Sequence, residues 1–224
     1  MRKDISMARM NVPPIDIVVK DTGSGFTPLE AGSYRAICYG IVVTGTTYLP
    51  TFGKTATKII FLWELTDERI TVDGVSKPRA ISETYTLSLG EKANLRKMLA
   101  GWRGRDFTAE ELKGFSLGKV LGQPCLVSTT IMQNKQGHEF AKVSSVTRLP
   151  KGMEIPKESE NPLIMFDITN DACPLSEMSN LPEWIQKRIM ESDEYKERTA
   201  GAGYGVEPSD DFIVVDNEED LPFE

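Results

Sequence analysis

Alternation of apolar and polar positions dominates the first two thirds of the chain. Segments rich in Val, Ile, Thr and aromatic residues are typical of half-buried strands. The predicted strands are 33–49, 55–65, 79–89, 123–133 and 138–149. Gly40, in the middle of the first, predicts a bulge or a sharp bend. The pair Asp73-Gly74 and the segment from Asn134 to Gly137 lie between strands and predict turns.

A helical period interrupts this pattern between the third and fourth strands. In 91–101 the apolar residues Leu95, Met98 and Leu99 lie on one helical face. Thr108 and Glu111 then have the spacing of a capping box, which predicts a second, short helix. This order of three strands, a helical segment and two strands predicts a mainly β fold, a five-stranded OB-fold barrel with a helix between strands 3 and 4. Other small antiparallel barrels and sandwiches share this linear order.

Composition divides the chain into four parts. Residues 1–32 are expected to be an N-terminal arm, and residues 33–150 the OB-fold domain. Residues 151–200 are expected to be a linker with an amphipathic helix around Trp184, Ile185 and Ile189. Residues 201–224 are Gly-rich and then acidic, and we expect a disordered tail because they cannot bury enough apolar area to offset ordering entropy.

Charge is distributed unevenly along the chain. The net charge of −7 would by itself argue against binding to nucleic acid. However, residues 1–150 contain 20 basic and 14 acidic residues. Residues 151–224 contain 6 basic and 19 acidic residues. A basic body with an acidic tail suggests a surface for polyanions and a segment that competes for it or recruits something else. A solvated acidic linker without further role is the alternative.

Several classes of protein are disfavoured by the sequence. No stretch approaches the roughly 18 apolar residues of a membrane helix, and the N-terminus lacks the apolar core of a signal peptide. We therefore expect a cytoplasmic protein without a membrane partner. Cys38, Cys125 and Cys173 are far apart in the sequence, which predicts buried thiols and no disulfide scaffold. His138 is the single histidine, so we expect neither a metal site nor a cofactor.

No catalytic motif stands above background. Gly53-Lys54-Thr55 ends like a phosphate-binding loop, but Tyr48 occupies the position that requires glycine. The glycines at 201–205 follow a helix, where a dinucleotide site would need a strand. His138 has no marked nucleophile near it in sequence. We therefore expect a binding protein and not an enzyme.

Candidate binding residues are aromatic and basic, since bases stack on aromatic faces and phosphates attract cations. The loop after the first strand offers Tyr48, Phe52 and Lys54, and in an OB-fold this loop borders the ligand groove. Lys58 begins the second strand. Alternation places Ile59, Phe61, Trp63 and Leu65 on one face of this strand and Lys58 on the opposite face. Phe61 and Trp63 are expected in the core, because they share their face with only apolar neighbours.

The remaining candidates lie on the other strands. Arg79 and Tyr85 belong to the third strand, and Tyr85 suits the core as well as a ligand-facing position. Lys135 lies at the tip of the last hairpin. Phe140 and Lys142 are two apart on one strand face, where they suit base stacking and phosphate contact or a core edge beside an exposed lysine.

With these features in view, the chain resembles single-stranded DNA-binding proteins of the bacterial and phage kind. Such proteins combine an OB-like body, a Gly-rich linker and an acidic tip similar to EEDLPF at 218–223. A phage family carries strings similar to the segments at 63–65, 85–115, 122–126 and 149–153. This likeness covers roughly residues 30–155.

The resemblance implies sequence-tolerant binding of single-stranded DNA in phage replication, recombination or repair, in the host cytoplasm. It further implies that the tip docks partner proteins through Glu218, Glu219, Asp220, Leu221, Pro222 and Phe223. Family tips end on Phe, whereas here Glu224 follows. An oligomer is compatible with this interpretation. Two alternatives remain open: a protein-interaction or recombination-accessory module, and an RNA-binding or strand-annealing protein.

Overall fold

The computed structural model describes residues 29–50, 53–72, 74–134 and 136–200. Within these ranges the chain is mainly β. The strands are β1 Gly32–Leu49, β2 Lys54–Val72, β3 Val75–Thr86, β4 Pro124–Gln133, β5 Glu139–Thr147 and β6 Ile164–Asp167. The helices are α1 Asn94–Arg103, α2 Ala109–Lys113, α3 Glu183–Met190 and α4 Asp193–Thr199, with short 3₁₀ turns at Leu117–Lys119 and Leu175–Asn180.

Strands β1 to β5 form one curled antiparallel sheet in the order β3-β2-β1-β4-β5. The long strand β1 pairs with β4 along its first third and with β2 from Ala36 onward. Because one bent strand serves two partners, the sheet curls into a half-barrel. β3 and β5, at the two ends of the order, approach each other, and α1 contacts both.

Two irregularities bend β1. Its register with β2 shifts between Cys38 and Gly40, which confirms the bulge predicted at Gly40. A Cβ atom at Gly40 would lie 2.6 Å from Cδ1 of Leu62, so a larger residue there would displace this buried side chain. A second shift falls between Val43 and Gly45, where Gly45 has a φ of +96°.

The concave side of the sheet encloses an inner core. Alternation along β2 directs Ile59, Phe61, Trp63 and Leu65 into it, as the sequence predicted. The rings of Phe61 and Trp63 stack with centroids 5.6 Å apart. Helix α1 fills the core from the side of β3 and β5 with Leu95, Met98, Leu99 and Trp102. Cys38 and Cys125 are buried here, whereas Cys173 is half-buried elsewhere.

The start of α2 is fixed by the capping box that the sequence predicted. The Thr108 hydroxyl accepts a hydrogen bond from the Glu111 backbone N–H, and the Glu111 carboxylate accepts one from the Thr108 backbone N–H. The same carboxylate is paired with the guanidinium groups of Arg103 and Arg105. Glu111 therefore joins the end of α1 to the start of α2.

Residues 161–200 form a second layer on the convex side of the sheet, which we call the C-terminal layer. β6 pairs in parallel with β1, with Ile164 opposite Gly40. Ile185 and Ile189 of α3 pack with Ile60 and Leu62 of β2 in an outer core. The central sheet is therefore buried on both faces at β1 and β2.

The sequence predicted a linker and one amphipathic helix for residues 151–200, and two helices, α3 and α4, lie where that helix was placed. The segment before β6 is bound to the body, because Glu154 pairs with Arg35 and Glu160 pairs with Arg69. β2 and β3 also extend further than predicted, to Val72 and from Val75, as a two-stranded ribbon around Gly74. The predicted tail and all but the last residues of the predicted arm lie outside the described residues.

Candidate nucleic-acid interface

Carboxylates neutralise many arginines of the body. Arg35 pairs with Asp67, Arg96 with Asp106, and Arg103 and Arg105 with Glu111. The guanidinium groups hold the pKa values of these carboxyls below their ordinary range, chiefly by hydrogen bonds from the arginine side chains. These arginines have a structural role, so a phosphate site must be sought among other cations.

The hairpin of β1 and β2 carries Tyr48 and Lys54 on opposite faces. Tyr48 is 62 % exposed, which makes its ring accessible. However, Tyr48 is paired with Thr55, and Lys54 is paired with Leu49. Since successive residues of a strand point to opposite faces, the ring of Tyr48 and the amine of Lys54 do not form one binding surface.

Lys58 lies on the convex face of the sheet. Its neighbour across the ladder is Thr86 of β3, and its Nζ atom donates to the Thr86 hydroxyl at 3.4 Å. By alternation, Lys54 and Lys58 share this face of β2. The sequence placed Lys58 on the face opposite Phe61 and Trp63, and the structure confirms this.

Arg79 and Tyr85 of β3 lie on the concave side, away from Lys58. Arg79 is paired with Leu65 and Tyr85 with Ile59, both of the inner core. The Tyr85 ring meets the Phe61 ring edge-on with centroids 5.9 Å apart. Burial, with the nearby Glu83 carboxylate, raises the pKa of the Tyr85 hydroxyl above its usual range. The structure therefore favours the core interpretation for Tyr85.

Phe140 and Lys142 of β5 share one face, as the sequence predicted. Phe140 is paired with Met132 and Lys142 with Thr130, while Ala141 packs against the inner core. The face of Phe140 and Lys142 therefore points away from that core. Both side chains are half-buried, and Met132 beside them is 44 % exposed. An aromatic ring, a flexible apolar side chain and a cation are thus adjacent on one surface.

The structure adds a cation that sequence reasoning missed. Arg188 of α3 donates from Nη1 to the hydroxyl of Thr84 at 3.1 Å, on the same face of β3 as Thr86. Its guanidinium lies 5.6 Å from the centre of the Trp184 ring. The i, i+4 spacing of Trp184 and Arg188 was visible in the sequence. Their approach to β3 was not, because it depends on how α3 packs.

The candidate residues fall into three groups. Phe52, Lys135 and the six tip residues at 218–223 lie outside the described residues. Of the others, Lys54 and Lys58 come together on β2, and Phe140 and Lys142 come together on β5. Arg79 and Tyr85 lie on the concave face, and Tyr48 lies on the face opposite Lys54.

Comparison of the chain with protein-family models, with curated proteins and with solved structures found no match. Among the helices of the described residues, none has the length and apolarity needed to cross a bilayer. The geometry of the half-barrel and its surface is therefore the basis for a functional proposal.

Proposed function

We propose that this protein binds single-stranded DNA without strict sequence preference, and that its half-barrel is an OB-type fold. The observation that carries the proposal is the pair formed by Phe140 and Lys142 on the outward face of the β4–β5 hairpin. In an OB-fold this hairpin borders the ligand groove.

The chemistry of this surface suits an unpaired strand. A base offers a flat ring that stacks on Phe140, and such stacking contributes about 1 to 3 kcal/mol per base. Met132 supplies adaptable apolar contact on the neighbouring strand. Lys142 takes part in none of the ion pairs found within the described ranges, so its ammonium need not leave a carboxylate to meet a phosphate.

A fluorescence titration of the full chain with labelled oligo-dT at several salt concentrations tests this proposal. Binding to phosphates releases counterions, so log affinity should fall linearly with log salt, by about 0.7 per phosphate contact for single strands. Affinity that is absent at low salt, or that does not depend on salt, would overturn it. Competition by RNA and by duplex oligomers distinguishes the RNA-binding alternative.

Partner recruitment by the acidic tip is the second part of the proposal and rests on the sequence pattern at 218–223. Deletion of residues 207–224 should tighten binding of oligo-dT at low salt, because eight acids no longer compete with DNA for the basic body. Phe223→Ala should leave DNA affinity unchanged and weaken association with replication or recombination proteins. Unchanged affinity after the deletion would contradict the competition.

A further inference from the structure

The convex face of β3 carries two threonine hydroxyls, each in contact with a cation. Thr84 and Thr86 are two residues apart, so their side chains share a face and lie about 7 Å from each other. Lys58 Nζ donates to Thr86 at 3.4 Å, and Arg188 Nη1 donates to Thr84 at 3.1 Å. One cation comes from the half-barrel and the other from the C-terminal layer.

The position of Arg188 is set by packing. Ile185 and Ile189 are fully buried in the outer core, which fixes α3 against β2. The Trp184 ring then lies 5.6 Å from the Arg188 guanidinium and limits its movement. Arg188 therefore reaches Thr84 from a rigid helix, and its other N–H groups are not used by that hydrogen bond.

Lys58 and Arg188 also differ from the neutralised arginines of the body. Neither belongs to an ion pair in the part of the chain that the structure describes. Both are half-buried, and charges that are partly removed from water interact more strongly with an incoming anion. A guanidinium additionally suits phosphate because it can donate two parallel hydrogen bonds.

From these contacts we infer that Lys58 and Arg188, together with the Thr84 and Thr86 hydroxyls, form a phosphodiester-binding site. We call it the β3 ledge. It rests on the proposed binding of single-stranded DNA and adds the C-terminal layer to the binding surface. The ledge holds the backbone of the strand, so it contributes affinity without sequence preference.

The test uses full-length Lys58→Gln, Arg188→Gln and double variants in salt-dependent titrations with oligo-dT and oligo-dA. Each single change should lower the slope of log affinity against log salt by about 0.7, and the double change by about twice that. Both oligomers should be weakened equally. Arg188→Lys keeps the charge but loses the two parallel N–H donors of the guanidinium. It should retain the slope of log affinity against log salt and weaken binding less than Arg188→Gln.

Lys196→Gln is the matched control, because it removes an exposed lysine from α4 of the same layer. Its slope should equal that of the wild type. Urea unfolding of every variant separates loss of the ledge from loss of the fold. Since Lys58 belongs to the half-barrel and Arg188 to α3, a folding defect in one variant leaves the other as a test.

The outcomes distinguish this inference from the function on which it rests. If the wild type binds with a salt-dependent affinity and neither Lys58→Gln nor Arg188→Gln lowers the slope, the β3 ledge is wrong and the proposed function stands. A lowered slope for Lys58→Gln alone would overturn the contribution of the C-terminal layer. If the wild type does not bind single strands at all, both fail.

Discussion

The Glu64 carboxylate accepts two hydrogen bonds from Asn161, one from the backbone N–H at 2.8 Å and one from the side-chain amide at 2.5 Å. The backbone N–H of Glu160 donates a third at 2.9 Å. Glu64 is only 2 % exposed, and a carboxylate removed from water is tolerated when hydrogen bonds replace its hydration. This contact fixes the point at which the chain returns to the convex face of the sheet.

Glu64→Ala should therefore destabilise the protein by about 1 to 3 kcal/mol, because it removes the acceptor of two partly buried backbone N–H groups. Urea unfolding followed by circular dichroism measures the change. Glu68→Ala, four positions along the same strand, is the control and should stay within about 0.5 kcal/mol of the wild type. Equal stability of the two variants would show that Glu64 does not secure the C-terminal layer.

Gly45→Ala should weaken the contact between β1 and α4, at the C-terminal end of the C-terminal layer. Gly45 has a φ of +96°, and an added Cβ would lie 2.5 Å from Cβ of Ser192 and 2.7 Å from the Glu194 carboxylate. That carboxylate accepts hydrogen bonds at 2.7 Å from both the backbone N–H and the hydroxyl of Thr46. The substitution thus combines backbone strain with displacement of α4.

Gly74→Ala isolates the strain, since Gly74 has a φ of +76° and open space around its Cα. We expect about 1 kcal/mol of destabilisation from positive φ in Gly74→Ala, and at least about 2 kcal/mol in Gly45→Ala. Thermal unfolding compares the two. Limited proteolysis should cut residues 190–200 faster in Gly45→Ala, and identical digestion patterns would argue against a contact between α4 and β1.

Stability at acid pH should depend on Glu111. Hydrogen bonds from Arg105 and from the Thr108 backbone N–H, with the charge of Arg103, lower the pKa of Glu111 from 4.5 to about 2. A carboxyl with a lowered pKa in the folded state stabilises the fold above its unfolded pKa, and this contribution disappears as pH falls through about 2.

Glu111→Gln retains a side chain that suits the capping box but removes the charge. It should be less stable than the wild type at pH 7, and the two stability curves should converge as pH falls from about 4.5 to about 2. Glu110→Gln removes a carboxylate from an exposed pair with Lys113. It should leave the dependence of stability on acid pH as it is in the wild type. A constant offset between Glu111→Gln and the wild type down to pH 2 would contradict the assignment.

Binding of oligo-dT should depend on the face that Phe140 and Lys142 share. Phe140→Ala removes a stacking ring and should weaken affinity by about 1 to 3 kcal/mol at every salt concentration. Lys142→Gln should instead lower the salt slope by about 0.7.

The matched controls for this face are Leu112→Ala, an exposed apolar residue of α2, and Lys113→Gln, a lysine that Glu110 already neutralises. Both should bind like the wild type. If the controls and the Phe140 and Lys142 variants weaken binding equally, the interface lies elsewhere on the body.

Alternation along β2 shows how far sequence reasoning reaches. Ile59, Phe61, Trp63 and Leu65 were expected on a core face, and that is where they lie. The opposite face of the same strand carries Ile60 and Leu62, which are apolar too. A strand that is apolar on both faces is typical of two-sided burial, so the signal for the C-terminal layer was present. What covers the second face was not encoded locally.

The strand β6 was not predicted because it has only four residues and follows a charged segment. Its pairing with β1 is parallel and joins residues more than 120 positions apart, such as Gly40 and Ile164. A pairing of this kind has no turn that fixes its register, and only the match of two apolar surfaces selects it.

In the candidate site, too, the sequence predicted the relations within one strand but not the contacts between different elements. Periodicity within one strand placed Phe140 and Lys142 together, because residues two apart always share a face. It could not show that carboxylates neutralise Arg96, Arg103 and Arg105, nor that Tyr85 packs edge-on against Phe61. These contacts join residues from different elements.

The sequence by itself determined the order of the strands β1 to β5, the inner face of β2, the bulge at Gly40 and the capping box at Thr108, since each follows from local geometry and side-chain chemistry. Only the tertiary structure decided that residues 161–200 cover the convex face and bring Arg188 beside Thr84. The physical reason is that burial of a second apolar face depends on the fit of two distant segments, which no local pattern records.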